Sequence, residues 1–325
     1  MYKNFLPLSL LFSTFALSGC FFFNSEIQRY HLAQQGTTSL SLSRDGRFAL
    51  VSPNTQSIVL WDLQQNKMLA DFGSQDQYHN SVITSYISDN SRYAITATSQ
   101  NFAVWDLGWS QSHGLWSIDD AIIQDVTIAN NGTDVLLALN NGKALFINLT
   151  SGRRLEFLAH RDKVNSVALS ANGRYALSGG NDHYAYLWDT RSGQIIYSFK
   201  HSSRVNQVAL QRDGKFAFSA AGNNDNIIWD LTTGKKVTQL AIKSRHHTLA
   251  SARFSDDGQL LVTGTLSRQV ELWQTDNGEK IGYWRAEILS GTRPATAVVY
   301  DVAISPTGNV VAGSSAGYAQ TWSTD

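Results

Sequence analysis

Six tryptophans divide this chain at nearly even intervals. Four sit in the tetrapeptides Leu60-Trp61-Asp62-Leu63, Val104-Trp105-Asp106-Leu107, Leu187-Trp188-Asp189-Thr190 and Ile228-Trp229-Asp230-Leu231. Looser copies are Leu272-Trp273-Gln274-Thr275 and Thr321-Trp322-Ser323-Thr324. The gap between Trp105 and Trp188 is filled by Phe146-Ile147-Asn148-Leu149, with Ile147 at the tryptophan position. The steps between the seven anchors are then 44, 42, 41, 41, 44 and 49 residues. A period of about 20–50 residues marks solenoids, propellers and arrays, whose units bury their apolar faces on one another. Residues 27–325 hold seven such units.

A second landmark keeps the same register. Asp45-Gly46, Asn131-Gly132, Asn172-Gly173, Asp213-Gly214 and Asp257-Gly258 each place a glycine 15 residues before the anchor. Thr307-Gly308 lies 14 before its own, and Asn90-Ser91 replaces the pair in the second unit. Asx-Gly between alternating apolar residues signals a hairpin, because both turn residues tolerate positive φ. Val164–Leu169 reads as the strand before one such turn, with Val205–Leu210 and Val299–Ile304 as its counterparts. Residues 175–178 follow as a second strand, then the tryptophan strand, then 195–199 as a fourth. Four strands in about 43 residues make one propeller blade, so the pattern predicts an all-β, seven-bladed propeller.

These anchors and turns resemble the WD40-repeat family across residues 27–325. The resemblance implies a His–Ser/Thr–Asp–Trp hydrogen-bond chain that ties the loop between blades to the inner strands. The fourth unit carries every member: His160, Ser178, Asp182 and Trp188. The fifth keeps His201, Ser219 and Trp229 but has Asn223 where the aspartate belongs. The sixth keeps Thr263 and Trp273, with Ser267 at the aspartate position and His246 or His247 arriving late. Units one, two, three and seven lack most of the chain and must rely on apolar packing. A buried polar network helps only when each member is satisfied, so blades four and five are expected to be the stiffest. The last unit reaches Asp325 just after its third strand, while residues 27–32 align with the fourth-strand segment 155–159. An N-terminal strand is therefore expected to close the last blade and hide two sheet edges.

Residues 1–19 read as a targeting segment, separate from the fold. Lys3 precedes an apolar stretch from Phe5 to Leu17, short for a bilayer span of about 20 residues. The stretch runs into Leu17-Ser18-Gly19-Cys20, which resembles the lipobox of bacterial lipoproteins. That resemblance implies cleavage before Cys20 and a lipid on its thiol, with acyl chains such as palmitate. Residues 20–26 become a lipidated tether and 27–325 the propeller. Phe21 rather than aspartate follows the cysteine, which points to the outer membrane, facing the periplasm. An uncleaved anchor from Phe5 to Phe23, or secretion with Cys20 as a bystander, are the alternatives.

Lys+Arg and Asp+Glu are equal at 26 each, so no global basic field points to nucleic acid. Cys20 is the only cysteine, which excludes an internal disulfide framework and a multi-cysteine metal cluster. Gly313-Ser314-Ser315-Ala316-Gly317 matches G-x-S-x-G, but that elbow needs a strand-to-helix turn and a downstream acid and histidine. No histidine follows it. The adjacent His246 and His247 lack partners at metal-ligand spacing. The sequence thus predicts no catalytic residues, no metal, and no cofactor beyond the covalent lipid on Cys20.

An interaction platform remains: a monomeric ring that holds a protein or peptide on its blade-entering loops. The loops entering units four to six are basic, and Arg161, Lys163, Arg204 and Arg245 are the candidate partner-binding residues. The loops entering units two and three carry Asp71, Asp76, Asp119, Asp120 and Asp125. Such a field steers a partner more than it binds one, although loops are also charged simply because they are wet. Segments 108–116 and 288–297 read as insertions. The alternative function is small-ligand or cell-wall-glycan binding at the central mouth, with Trp109, Trp116, Tyr78 and Trp284 as stacking candidates.

Overall fold

The computed structural model describes residues 26–54, 57–73, 81–242, 248–291 and 295–324. These residues form 28 strands in seven four-stranded antiparallel sheets, and no helix. Blade four shows the plan: Val164–Leu169, Tyr175–Gly180, Tyr184–Asp189 and Ile195–Lys200 pair in that order. First strands of successive blades meet around a central channel, and Thr37–Leu42 of blade one meets Val299–Ile304 of blade seven to close the ring. We call the face holding the loops between blades the upper face. The turns joining first to second and third to fourth strands lie on the lower face.

Strands buried on both sides read as apolar runs rather than alternations. Residues 135–139 and 144–147 are buried for this reason, whereas fourth strands such as Ile195–Lys200 are mostly exposed. The apolar clusters lie between blades. Ala138, Phe146 and Phe157 of blade three pack with Val167 and Trp188 of blade four, and Phe157 stacks on Trp188 at 4.5 Å between ring centres. Ile147 is buried at the anchor position of blade three, an apolar replacement for tryptophan.

The Asx-Gly turns form, by a route different from the expected one. Only the second residue has positive φ: Gly46 at 70° and, in blade two, Ser91 at 58°. The Asx side chain acts instead by accepting an N–H two residues on, as Asp45 does from Arg47 at 3.1 Å and Asn172 from Arg174 at 3.0 Å. A serine two residues before the Asx accepts from the next strand, as Ser43 does from Phe48 N–H and Ser170 from Tyr175 N–H. Both are local side-chain-to-backbone bonds of the kind that define turns.

Blade seven is closed by the N-terminal strand. Glu26–His31 pairs with Tyr318–Trp322, and Tyr30 is buried opposite Ala319. The strand begins one residue earlier than expected. Another expectation is corrected. Residues 111–117 are the ordinary fourth strand of blade two, so 108–116 is no insertion. The G-x-S-x-G segment is the end of Val310–Ser314 and a hairpin turn, and a Cβ at Gly313 would lie 1.9 Å from Leu40 Cδ2. Its glycine serves blade packing.

Candidate functional site: the upper rim and the central channel

Blade four assembles a continuous polar chain. Trp188 Nε1 donates to Ser178 Oγ at 3.3 Å, and Ser178 lies 2.9 Å from His160 Nε2. His160 Nδ1 lies 3.0 Å from Asp182. A carboxylate only accepts, so a neutral His160 donates from Nδ1 and accepts the serine proton at Nε2. Asp182 also accepts the N–H of Arg161 at 3.1 Å and of Tyr184 at 3.2 Å. Burial opposes ionisation of Asp182, but the bond from His160 and these N–H groups outweigh it and hold its carboxyl below the usual range. The chain therefore fixes the backbone that carries Arg161.

Blade five repeats the chain as far as the histidine, with a substitute carboxylate nearby. Trp229 donates to Ser219 at 2.7 Å, and Ser219 lies 2.8 Å from His201. Asn223 sits in the turn at a φ of 62°, and the carboxylate comes instead from Asp225 at the start of the next strand. Asp225 is 3.4 Å from His201 Nδ1 and accepts Ser202 N–H at 2.7 Å, as Asp182 accepts Arg161 N–H. Burial keeps His201 below the usual histidine range, with Asp225 pulling the other way. Blade six keeps the Trp273–Thr263 bond at 3.0 Å. Blade two has a bond that the sequence reading missed, Trp105 to Thr96 at 2.9 Å, because its second-to-third-strand hairpin is one residue shorter. Trp61 Nε1 of blade one is buried without a hydrogen-bond partner among the described residues.

On the upper rim, Arg161 and Arg204 are exposed and make no ion pair among the described residues. Lys163 is half-buried, with its Nζ 3.0 Å from Gln124. Arg245, His246, His247, Tyr78, Asp76 and Cys20 lie outside the described residues. The acidic sector is smaller than expected. Asp125 belongs to the strand Ile123–Ile128 in the channel wall, and Asp71 caps its own loop by accepting Gly73 N–H at 2.8 Å. Asp119 and Asp120 remain exposed. Sequence reading also missed two exposed apolar side chains at the channel mouth, Ile83 and Leu266.

The channel is a cavity of about 390 Å³ lined by first strands. One register position supplies a polar girdle: Ser39, Thr84, Asp125, Ser166, Gln207, Ser251 and Asp301. Ser39 bonds Ser85, Thr84 bonds Asp125, and Asp125 accepts Val167 N–H at 3.0 Å, each from one blade to the next. Asp301 likewise accepts Leu42 N–H at 2.8 Å. Burial pushes the Asp125 carboxyl up to about 6 despite its hydrogen bonds. Burial also raises Asp301, even though Arg253 lies 2.9 Å away. Towards the lower end, Arg44 pairs with Asp256 and Asp89, and its Nη2 is buried with no partner among the described residues.

The stacking candidates do not gather at the mouth. Trp284 is 4% exposed against Trp322, and Trp116 stacks on Phe102. Trp109 is exposed on the lower face, in the turn after Asp106. Among the described residues no group of three or more His, Cys, Asp or Glu side chains is placed to hold a metal ion.

The sequence comparisons agree with this geometry. Residues 152–189, 193–230 and 234–274 match the family described as WD domain, G-beta repeat. Each match ends on the third strand of blade four, five or six, the blades in which a hydroxyl receives the tryptophan N–H at the same ten-residue spacing. No curated protein gives a match. Seven sheets in a closed ring make the described residues a seven-bladed β-propeller, three blades of which match WD repeats.

Proposed function

We propose that the protein is a membrane-anchored lipoprotein whose propeller is a non-catalytic scaffold, holding a protein or peptide partner on its upper rim. WD40 propellers commonly bind protein partners. The observation that carries the reading is the rim itself. Buried His160 and its partner Asp182 fix the loop from which Arg161 projects, and exposed Ile83 and Leu266 border the channel mouth. A rigid frame presenting mixed apolar and basic groups suits a partner with apolar anchors and acidic flanks. The lipobox supports acylation at Cys20, and Phe21 supports the outer membrane, facing the periplasm.

Two experiments test the halves separately. Crosslinking in intact cells, followed by mass spectrometry, should recover one partner set from wild type and lose it with Arg161→Glu combined with Ile83→Asp. Unchanged recovery would overturn the rim. Cys20→Ala should leave an unprocessed precursor that takes up no fatty-acid probe, and continued labelling would overturn the anchor.

A small ligand in the channel is the second reading, favoured by Arg44 of the cavity wall, whose Nη2 has no partner among the described residues. An acceptor group there should raise the melting temperature of wild type but not of Arg44→Met. No shift with a panel of carboxylates and sugar acids would set this reading aside.

A further inference from the structure

We propose that the lower face of the ring is a membrane-docking surface that rests on anionic lipid headgroups, an inference that deepens the anchoring reading above and rests on it. Three observations converge on that face.

The first is where the chain enters. Glu26 pairs with Trp322 at the lower end of blade seven, and the strand runs upward to His31. Cys20 is six residues earlier in the chain. Six residues reach at most about 20 Å, so a lipid at Cys20 keeps the lower rim beside the bilayer.

The second is what that rim exposes. Trp109 is 72% exposed and Ile27 is 53% exposed. Met68, Ile195 and Ile196 join them at the lower ends of their fourth strands. These side chains sit on blades seven, one, two and four, around the ring, where a flat surface can touch them together. Tryptophan and aliphatic side chains at a rim suit the headgroup level of a bilayer. An apolar groove of about 410 Å³, lined by Tyr175, Leu187, Ile196 and Leu231, opens on the same face.

The third is charge. Lys67, Arg154, Arg191 and Lys235 are exposed in the lower turns and make no ion pair among the described residues. The aspartates of the tryptophan motifs bind the turn N–H groups: Asp62 that of Gln65, Asp106 that of Trp109, and Asp189 that of Arg191. Asp62 and Asp106 are buried in doing so. Exposed acids of this face, Asp213, Asp256, Asp257, Asp276 and Glu279, fall on blades five and six, and Glu26 on blade seven is paired with Arg29. A chain with no net charge thus presents unpaired basic side chains on blades one, three, four and five of this face, and lysine or arginine near an anionic surface is attracted to it.

The test uses the full-length, processed protein in vesicles of phosphatidylethanolamine and phosphatidylglycerol containing spin-labelled lipid. Cys20 is the only native cysteine, so acylation leaves a single introduced thiol to carry a fluorophore. Trp109→Cys reports the lower face, and Leu158→Cys, at an exposed site on the upper face, reports the other. Lipid quenching should be several-fold stronger at position 109. Reversing Lys67, Arg154, Arg191 and Lys235 to Glu should reduce it, by about fivefold per cation in surface occupancy. Equal quenching at the two positions, or none at either, overturns the proposal. So does an adduct of the 109 probe with a protein in the absence of lipid quenching. Fatty-acid labelling of Cys20 is scored on the same preparation. If Cys20 takes no label, the anchor is wrong, and the pair is read again in a Cys20→Ser background, where quenching still decides the docking.

Discussion

Asp225 lies two residues beyond the position that matches Asp182, yet its carboxylate reaches to 3.4 Å from His201 Nδ1. Blade five therefore has a charged partner for its histidine, and Asn223 is not that partner. Asp225→Ala should destabilise the protein by about 1–3 kcal/mol, because it removes the acceptor of the Ser202 N–H and the carboxylate beside a buried imidazole. Asp182→Ala should cost a similar amount. Asn223→Gly should be neutral, since the turn holds Asn223 at a φ of 62° where glycine is at ease. Urea midpoints of the three variants check this, and an Asn223→Gly loss as large as that of Asp225→Ala would contradict it.

The channel wall gives a pH prediction. Burial raises the Asp125 carboxyl from 3.8 to about 6, so the folded protein holds this proton more tightly than the unfolded chain. Stability from Asp125 is then fully present below pH 3.8 and is lost as pH rises through about 6. The loss is on the order of 3 kcal/mol. Wild type should therefore lose stability relative to Asp125→Asn between pH 4 and 7, by about that amount. A carboxyl carbon resonance for Asp125 that titrates near the ordinary aspartate value would refute it.

Much of this was legible in the sequence because propellers repeat. The 15-residue interval from turn glycine to anchor set the register of the blades, and it carried Ile147 into the right place despite its chemistry. What escaped reading depends on conformation within a repeat. A φ of 62° moves the Asn223 side chain out of the chain, and one residue less in a hairpin hides Thr96 from a ten-residue count. Asp125 looked like a loop residue because its strand starts at Ile123, immediately after the Asp119-Asp120 pair. The exposed Ile83 and Leu266 follow no pattern, since each occupies a position held by other residue types in the neighbouring blades.

Ser91 is a non-glycine residue at a φ of 58°, where five of the equivalent turns have Asx-Gly and one has Thr-Gly. A Cβ in this region is strained, while the serine N–H still bonds Ser88 at 2.8 Å. Ser91→Gly relieves that strain at some cost in chain entropy, for a net gain of about 0.5 kcal/mol. Thermal unfolding should show a higher midpoint, and a lower one would mean that the Ser91 side chain holds the turn.

Closure by Glu26–His31 predicts a second kind of failure. Deleting residues 27–32 removes the partner of Tyr318–Trp322 and takes buried Tyr30 and Leu32 from their cluster. The bared strand offers an unpaired edge to other chains. The deletion variant should aggregate or be cut by protease under conditions that leave wild type whole. A monomeric, equally resistant variant would show that the remaining three strands of blade seven suffice.

The last prediction concerns the rim. Arg161 and Arg204 occupy successive blade-entering loops, each behind a buried histidine that is bonded to a serine. Both are exposed and make no ion pair among the described residues, so their charge faces solvent. Lys163 is half committed to Gln124 and should contribute less, while Arg245 is included because it continues the same series in sequence. Exposed pairs are worth only about 0.2–1 kcal/mol each, so a single reversal can be silent. Reversing Arg161, Lys163, Arg204 and Arg245 to Glu together should slow capture of an acidic partner, and the difference should fade as salt rises, because screening acts on exposed charges. The fold should survive, as the three described side chains take no part in the apolar clusters between blades. Recovery of partners at low and moderate salt distinguishes the cases. Identical yields from wild type and the reversed protein at low salt would show that this charge does not steer binding, leaving the apolar mouth at Ile83 and Leu266 to account for any partner that is captured.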